Sequence, residues 1–198
     1  SLQNVDGLVN CTNLSSLYLS DCRSLQNVDG LANLPNLTRL DLDYCGYLQV
    51  PSEESIMTTR DEVVVYQNKI RIVMALKKND MNTLLDYKDA TVLNLSGCTS
   101  LNNVDGLAKC TKLTSLNLSS CDYSLQNVDG LANLTNLTRL NLGSCYSLQN
   151  VDGLAKCTNL TDLNLSYCDS LQNVDGLANL TNLRSLDLRN CNEVHPKT

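Results

Sequence analysis

Residues 136–158 read NLTRLNLGSCYSLQNVDGLAKCT and residues 159–181 read NLTDLNLSYCDSLQNVDGLANLT, so a 23-residue stretch is followed by a near copy of itself. Two periods meet inside each copy. Leu140 and Leu142 flank Asn141, an alternation that sends the leucines to one side and the asparagine to the other, as in a β-strand. Then Leu148, Val151, Leu154, Cys157 and Leu160 recur at every third residue, which fits a return path close to a 3-10 turn. One strand with one return cannot bury these side chains alone. Neighbouring copies must therefore stack, with their strands side by side in a parallel sheet over a shared apolar interior.

The frame extends outward from these two copies. Aligned on the first leucine of L-x-x-L-x-L, the repeats begin at Leu14, Leu37, Ala90, Leu113, Leu137, Leu160 and Leu183. The intervals are 23, 53, 23, 24, 23 and 23 residues, so one is 30 residues too long. The 24 arises from one extra residue in CDYSLQ at 121–126. The composition suits thin, identical layers, because tryptophan and phenylalanine are both absent and leucine must do the packing. A formal charge of −6 gives no support for nucleic acid or an anionic membrane as partner. No apolar run approaches the length of a membrane span, and residue 1 begins no recognisable signal peptide.

The pattern resembles the leucine-rich repeat family, nearest to the short bacterial type found in internalin-like proteins. LTRLNLGSC (137–145) matches the family's L-x-x-L-x-L-x-x-N core, and VDGLANLTNL (128–137) resembles its return segment. The resemblance covers residues 1–48 and 81–194. The unit here is one residue longer than the usual internalin-like repeat, and cysteine stands where the family has its ladder asparagine. The resemblance implies an α/β leucine-rich repeat solenoid with one parallel sheet of about seven strands and a helical cap or insertion. It also implies a non-catalytic module that binds protein through its exposed sheet face.

All ten cysteines fall on two repeat positions. Cys22, Cys45, Cys98, Cys121, Cys145, Cys168 and Cys191 follow the strand at the ladder position, where a thiol can act as a weak donor while packing as a small hydrophobe. Cys11, Cys110 and Cys157 take the return slot that Leu34, Leu134 and Leu180 fill elsewhere, and exchange with leucine predicts burial. Disulfides or a metal site are the alternatives, since an even number suits a disulfide framework. Stacked, parallel ladder side chains fit the disulfide torsion poorly. Spacings of 11 and 12 residues match no zinc signature. Reduced structural thiols are therefore expected, with a cytoplasmic setting and no cofactor. The N-x-S/T triplets at Asn94, Asn117 and Asn164 lie on the strands and are read as products of the repeat, not glycan sites.

Between Leu48 and Met81 the pattern stops, yet the frame resumes in register: Met81 overlays Val151 and Leu84 overlays Leu154. Inside the gap, Thr59 followed by Glu62 is a helix-start signature. Val63, Tyr66, Ile70, Val73 and Lys77 then recur in alternating steps of three and four, which predicts a helix over 60–78. A hairpin of VVVY and IRIVMAL around QNK is the rival, given its β-branched residues. The expected division is an incomplete repeat block at 1–48, a helical cap or insertion at 49–80, repeats at 81–194 and a tail at 195–198. The helix is expected to cover the open start of the second block. One continuous solenoid with a bulging insertion is the alternative. Because SLQN at the start and CNEV near the end are nearly complementary points of the repeat, head-to-tail self-association is a further expectation.

The usual catalytic constellations are absent from the sequence. His195, the only histidine, lies in the tail, and the glycines of VDGL mark tight turns. Asp6, Asp29, Asp105, Asp129, Asp152 and Asp175 are read as turn residues, with a calcium-attracting row as the alternative. The exposed face carries a polar column of Tyr18, Asp41, Asn94, Asn117, Asn141, Asn164 and Asp187. Binding hot spots favour tyrosine and arginine. The candidate partner-binding residues are therefore Tyr18, Arg39, Asp41, Tyr44, Arg139, Asp162, Tyr167, Asp187 and Arg189. The expected function is protein–protein interaction with an unidentified protein partner and without catalysis. The alternative is a structural, self-assembling role.

Overall fold

The computed structural model describes residues 2–121 and 124–193. Its contacts group the chain into two compact units, Ser1–Met74 and Ala75–Thr198.

In the first unit, β1 (Ser16–Tyr18) and β2 (Arg39–Asp41) pair in parallel, with Ser16 opposite Arg39 and Leu17 opposite Leu40. Their returns open with 3-10 turns at Asp6–Leu8 and Asp29–Leu31. A two-residue strand, β3 (Ile56–Met57), then pairs antiparallel with β2. Helix α1 follows at Arg60–Lys78 and is held by the expected reciprocal cap. The Thr59 N–H donates to the Glu62 carboxylate at 3.1 Å, and the Glu62 N–H donates to the Thr59 hydroxyl at 3.3 Å. Val63, Tyr66, Ile70 and Val73 are buried along one face of the helix.

In the second unit, β4 (Val92–Asn94), β5 (Ser115–Asn117), β6 (Arg139–Asn141), β7 (Asp162–Asn164) and β8 (Ser185–Asp187) form a parallel sheet in sequence order. Leu93, Leu116, Leu140, Leu163 and Leu186 lie in register across it. Each later return opens on its VDG turn, and a short helix α2 (Met81–Leu85) takes the place of the first. The Asp80 carboxylate caps α2, accepting from the N–H groups of Asn82 and Thr83 and from the Thr83 hydroxyl.

The seven repeat strands are thus present in the expected frame, divided two and five between separate sheets. The reason lies at β2. Its outer edge is taken by β3, and an antiparallel strand followed by a helix does not continue a series of parallel coils. The helix also behaves differently from the expectation that it covers the second block. The Arg60 guanidinium donates to Leu37 O at 2.7 Å, Gln67 Nε2 donates to Leu31 O at 2.8 Å and Leu34 O at 3.1 Å, and the Tyr66 hydroxyl donates to Val50 O at 2.7 Å. These groups satisfy return-path carbonyls of the first unit. Over the start of the second unit, Leu84 of α2 and Leu76 face Gly106.

Two local devices make each coil turn. The residue before every ladder cysteine adopts positive φ: Asp21, Tyr44, Gly97, Ser120, Ser144, Tyr167 and Asn190, with φ between 54° and 69°. Only Gly97 suits that region without a side-chain penalty. In the return, the VDG glycine admits the previous coil. A Cβ at Gly153 would lie 2.3 Å from Val128 O.

One burial expectation fails. Cys11 is exposed, whereas Cys110 and Cys157 are buried as expected. The slot is buried by the neighbouring coil, and Cys11 lies on the outermost coil of its unit. The tail with His195, and Asp122 and Tyr123 of the 24-residue repeat, lie outside the described residues. Among the described residues no helix is long and apolar enough to cross a membrane.

Candidate functional site

The alternation within each strand decides what the sheet presents. Leu140 and Leu163 are 2% exposed while the residues either side point outward, so the open face of the second unit is built from the intervening polar positions. The face holds a shallow depression of about 420 Å³ lined by Ser115, Asn117, Arg139, Asn141, Asp162, Asn164, Ser185 and Asp187. Arg139 and Asp162 stand opposite each other in register.

The middle column has an internal task. The carboxamide oxygens of Asn94, Asn117, Asn141 and Asn164 accept the N–H two residues on at 2.8–3.0 Å, which ends the strand. Asp41 does the same for the Asp43 N–H at 2.9 Å. Asp187 accepts the Arg189 N–H at 3.0 Å and also binds the Arg189 guanidinium at 2.6 Å. The hydrogen bonds from Arg189 push the Asp187 carboxyl down to about 2, and the same contact raises the guanidinium.

The nine candidates therefore separate. Tyr18, Arg39, Asp41 and Tyr44 lie in the first unit, and Arg139, Asp162, Tyr167, Asp187 and Arg189 in the second. Asp41 is committed to its turn, and Asp187 and Arg189 to each other. Arg39 and Arg139 are exposed, and neither guanidinium has an ion pair or hydrogen bond among the described residues. Asp162 accepts only from the neighbouring Thr161 hydroxyl at 2.7 Å. Tyr18 and Tyr44 are 64% and 70% exposed, and Tyr167 is 49% exposed.

Behind the sheet face, the ladder cysteines knit the coils together. The thiols of Cys45, Cys121, Cys145, Cys168 and Cys191 each donate to the strand-ending leucine carbonyl one coil earlier, at 3.0–3.4 Å. None of the ten cysteines is in a disulfide, and six are buried. Burial pushes the Cys157 thiol up to about 11 and the Cys168 thiol up to about 12, because a thiolate there would be stripped of water.

A second surface was not anticipated from the sequence. Asn136, Asn159 and Asn182 donate from Nδ2 to Thr111 O, Thr135 O and Thr158 O at 2.8 Å. The hydroxyls of Thr114, Thr138 and Thr161 donate to Thr91 O, Thr114 O and Thr138 O at 2.9–3.0 Å. These two ladders floor an open groove of about 650 Å³ with Lys112 and Arg184 in its lining. The recurrence of T-N-L at 135–137, 158–160 and 181–183 is the signal the sequence carries for it.

Residues 109–122 and 156–178 match the family model described as Leucine Rich repeat. Several solved structures are similar. Internalin C2 from Listeria monocytogenes is 22% identical with a TM-score of 0.38, over 95% of this chain and 76% of that one. The functional domain of InlJ from Listeria monocytogenes, described as including a cysteine ladder, is 16% identical with a TM-score of 0.31, over 99% of this chain and 48% of that one. A leucine-rich repeat protein from Leptospira interrogans is 15% identical with a TM-score of 0.25, over 84% and 47% of the respective chains. No protein of curated function matches the chain. The matched segments resemble leucine-rich repeats, and they share their strand, positive-φ turn and short return with the other coils.

Proposed function

We propose that the chain is a non-catalytic protein-interaction module whose partner docks on the open sheet face of the second unit. The observation that carries this is Arg139. It stands exposed at the 420 Å³ depression, opposite Asp162 and with no internal partner among the described residues, while the asparagines around it are consumed by strand-ending turns. Arginine with an adjacent carboxylate is the kind of paired, desolvatable anchor from which interface hot spots are made. A leucine-rich repeat sheet offers such positions at a fixed strand spacing, so the partner segment should be polar, with an acidic group for Arg139 and a basic one for Asp162. Thiols that must keep their protons to hold the ladder fit a reducing compartment such as the cytoplasm.

The test is selection of binding peptides or domains from a display library on the immobilised chain, followed by Arg139→Glu. Ligands that use the face should lose at least about tenfold in affinity, roughly 1.4 kcal/mol. If selected ligands bind Arg139→Glu as tightly as the parent, the face is not the docking site.

A further inference from the structure

The residue before each ladder cysteine has to adopt left-handed backbone, and most coils meet that demand with a residue that tolerates it. Asp21, Gly97, Ser120, Ser144 and Asn190 are small or short and polar. Tyr44 and Tyr167 are the bulky exceptions, with φ of 54° and 60°. A bulky side chain in that region is a local cost that the turn itself does not require, and such outliers gather where a surface binds.

Tyr167 shares a coil with the docking surface. Asp162 and Asn164 of the same coil line the 420 Å³ depression. Neighbouring coils hold the turn from both sides: the Ser144 N–H donates to Ser166 O at 2.7 Å, and the Tyr167 N–H donates to Arg189 O at 2.8 Å. The Tyr167 side chain is nonetheless 49% exposed, and its hydroxyl has no hydrogen-bond partner among the described residues.

Between Asp162 and Tyr167 the face is low and polar. A Cβ at Gly143 would lie 2.9 Å from Asn164 Nδ2, so the Asn164 carboxamide lies over a position without a side chain. Its oxygen is occupied by the Ser166 N–H at 2.8 Å and the Ser166 hydroxyl at 2.7 Å. Beyond it, Tyr167 offers its ring beside the small Ser144, which holds the equivalent position on the coil before. Side chains of an extended peptide alternate, so those facing this surface at its two ends are about four positions apart, or about 13 Å. Arg189, fixed on Asp187, lies within electrostatic reach of Tyr167 and places a positive charge beside the ring. A second cation is disfavoured there, which leaves an apolar side chain as the complement.

We infer that Tyr167 is a second anchor of the docking surface and that the partner is an extended peptide lying along β7, its charged residues at Arg139 and Asp162 and an apolar side chain about four positions away against the Tyr167 ring. The inference rests on the sheet face of the second unit being the docking site. Tyrosine and arginine are the side chains from which such anchors are built, and here they bracket one strand.

The test pans a display library of random short peptides on the immobilised full chain, then measures the synthetic consensus peptide by fluorescence anisotropy. The consensus should place an apolar residue about four positions from a charged pair. Tyr167→Asn should weaken the peptide at least about tenfold without lowering the melting temperature, because asparagine accepts left-handed backbone. Tyr167→Phe keeps the ring and should keep the affinity. Replacing the peptide's apolar residue by alanine should weaken it on the parent chain and add nothing on Tyr167→Asn, the non-additivity of a direct contact. Additive losses, or undiminished affinity for Tyr167→Asn, overturn the inference. If Arg139→Glu still weakens the peptide in that case, the docking surface stands without its second anchor. If Arg139→Glu also binds like the parent, the docking surface itself is wrong.

Discussion

Replacing Cys145 by alanine tests the thiol ladder directly. Its Sγ is fully buried and donates to Leu118 O at 3.2 Å. A weak donor such as a thiol contributes at most about 1 kcal/mol net, and losing it leaves that carbonyl short of a partner. Removing a buried sulfur also forfeits transfer energy comparable to one methylene, about 1 kcal/mol, with a small cavity added. The expected loss is about 2 kcal/mol, or a fall of about 4–8 °C in Tm for a chain of this size. Cys22→Ala is the internal control. Cys22 holds the same repeat position but is half-buried and has no acceptor among the described residues, so about 0.5 kcal/mol is expected. Both variants are measured by thermal and urea unfolding followed by circular dichroism, with reductant present. Equal losses at the two positions would falsify the ladder, since burial and donation would then not be what the cysteines contribute.

Ser144 adopts φ of 61°, a region that costs a non-glycine residue about 1–2 kcal/mol, so Ser144→Gly should raise stability by about 0.5–1 kcal/mol once the extra freedom of glycine in the unfolded chain is counted. A lower urea midpoint for that variant would contradict the turn assignment. Stability should also depend on pH through the buried thiols. Their folded pKa values, about 11 for Cys157 and about 12 for Cys168, lie above the ordinary 9.0, so the unfolded chain releases these protons first. Their contribution is complete below pH 9 and is lost as pH climbs toward 11–12. Cys168→Ala should flatten the decline of the urea midpoint above pH 9, and an unchanged slope would count against burial as its cause.

The repeating parts were legible because a single physical demand is stated many times. Leucines alternating about Asn141, the cysteine after each strand and the third-residue spacing of the return all reappear as strand, ladder and 3-10 turn. Helix α1 was legible through a local signal, the Thr59–Glu62 cap, which the structure closes in both directions. β3 was not, because two residues, Ile56 and Met57, contain no period to read, and their antiparallel pairing with β2 divides the strands between two sheets. On the candidate site, exposure of the sheet face was legible from alternation. The commitment of Asp41 to a turn amide and of Asp187 to Arg189 was not, since both depend on where a carboxylate swings after the strand ends.

Within a stack of coils, sequence position specifies a residue's capacity and the neighbouring coil decides its use. Gly153 presses on Val128 O, while Gly7, in the same VDG turn, meets nothing. Cys157 is buried, and Cys11 in the same slot is exposed. A residue that follows the repeat is accounted for by stacking and carries little information about a partner. The informative residues depart from the repeat and find no internal partner. Arg189 departs from a column of serine and glycine but is absorbed by Asp187. Arg139, in the column of Ser115, Asp162 and Ser185, is exposed and absorbed by nothing among the described residues; Arg39 shares that state but stands opposite Ser16, whereas Arg139 stands opposite Asp162. That pairing, and not exposure alone, is why the proposed docking surface centres on β6 and β7.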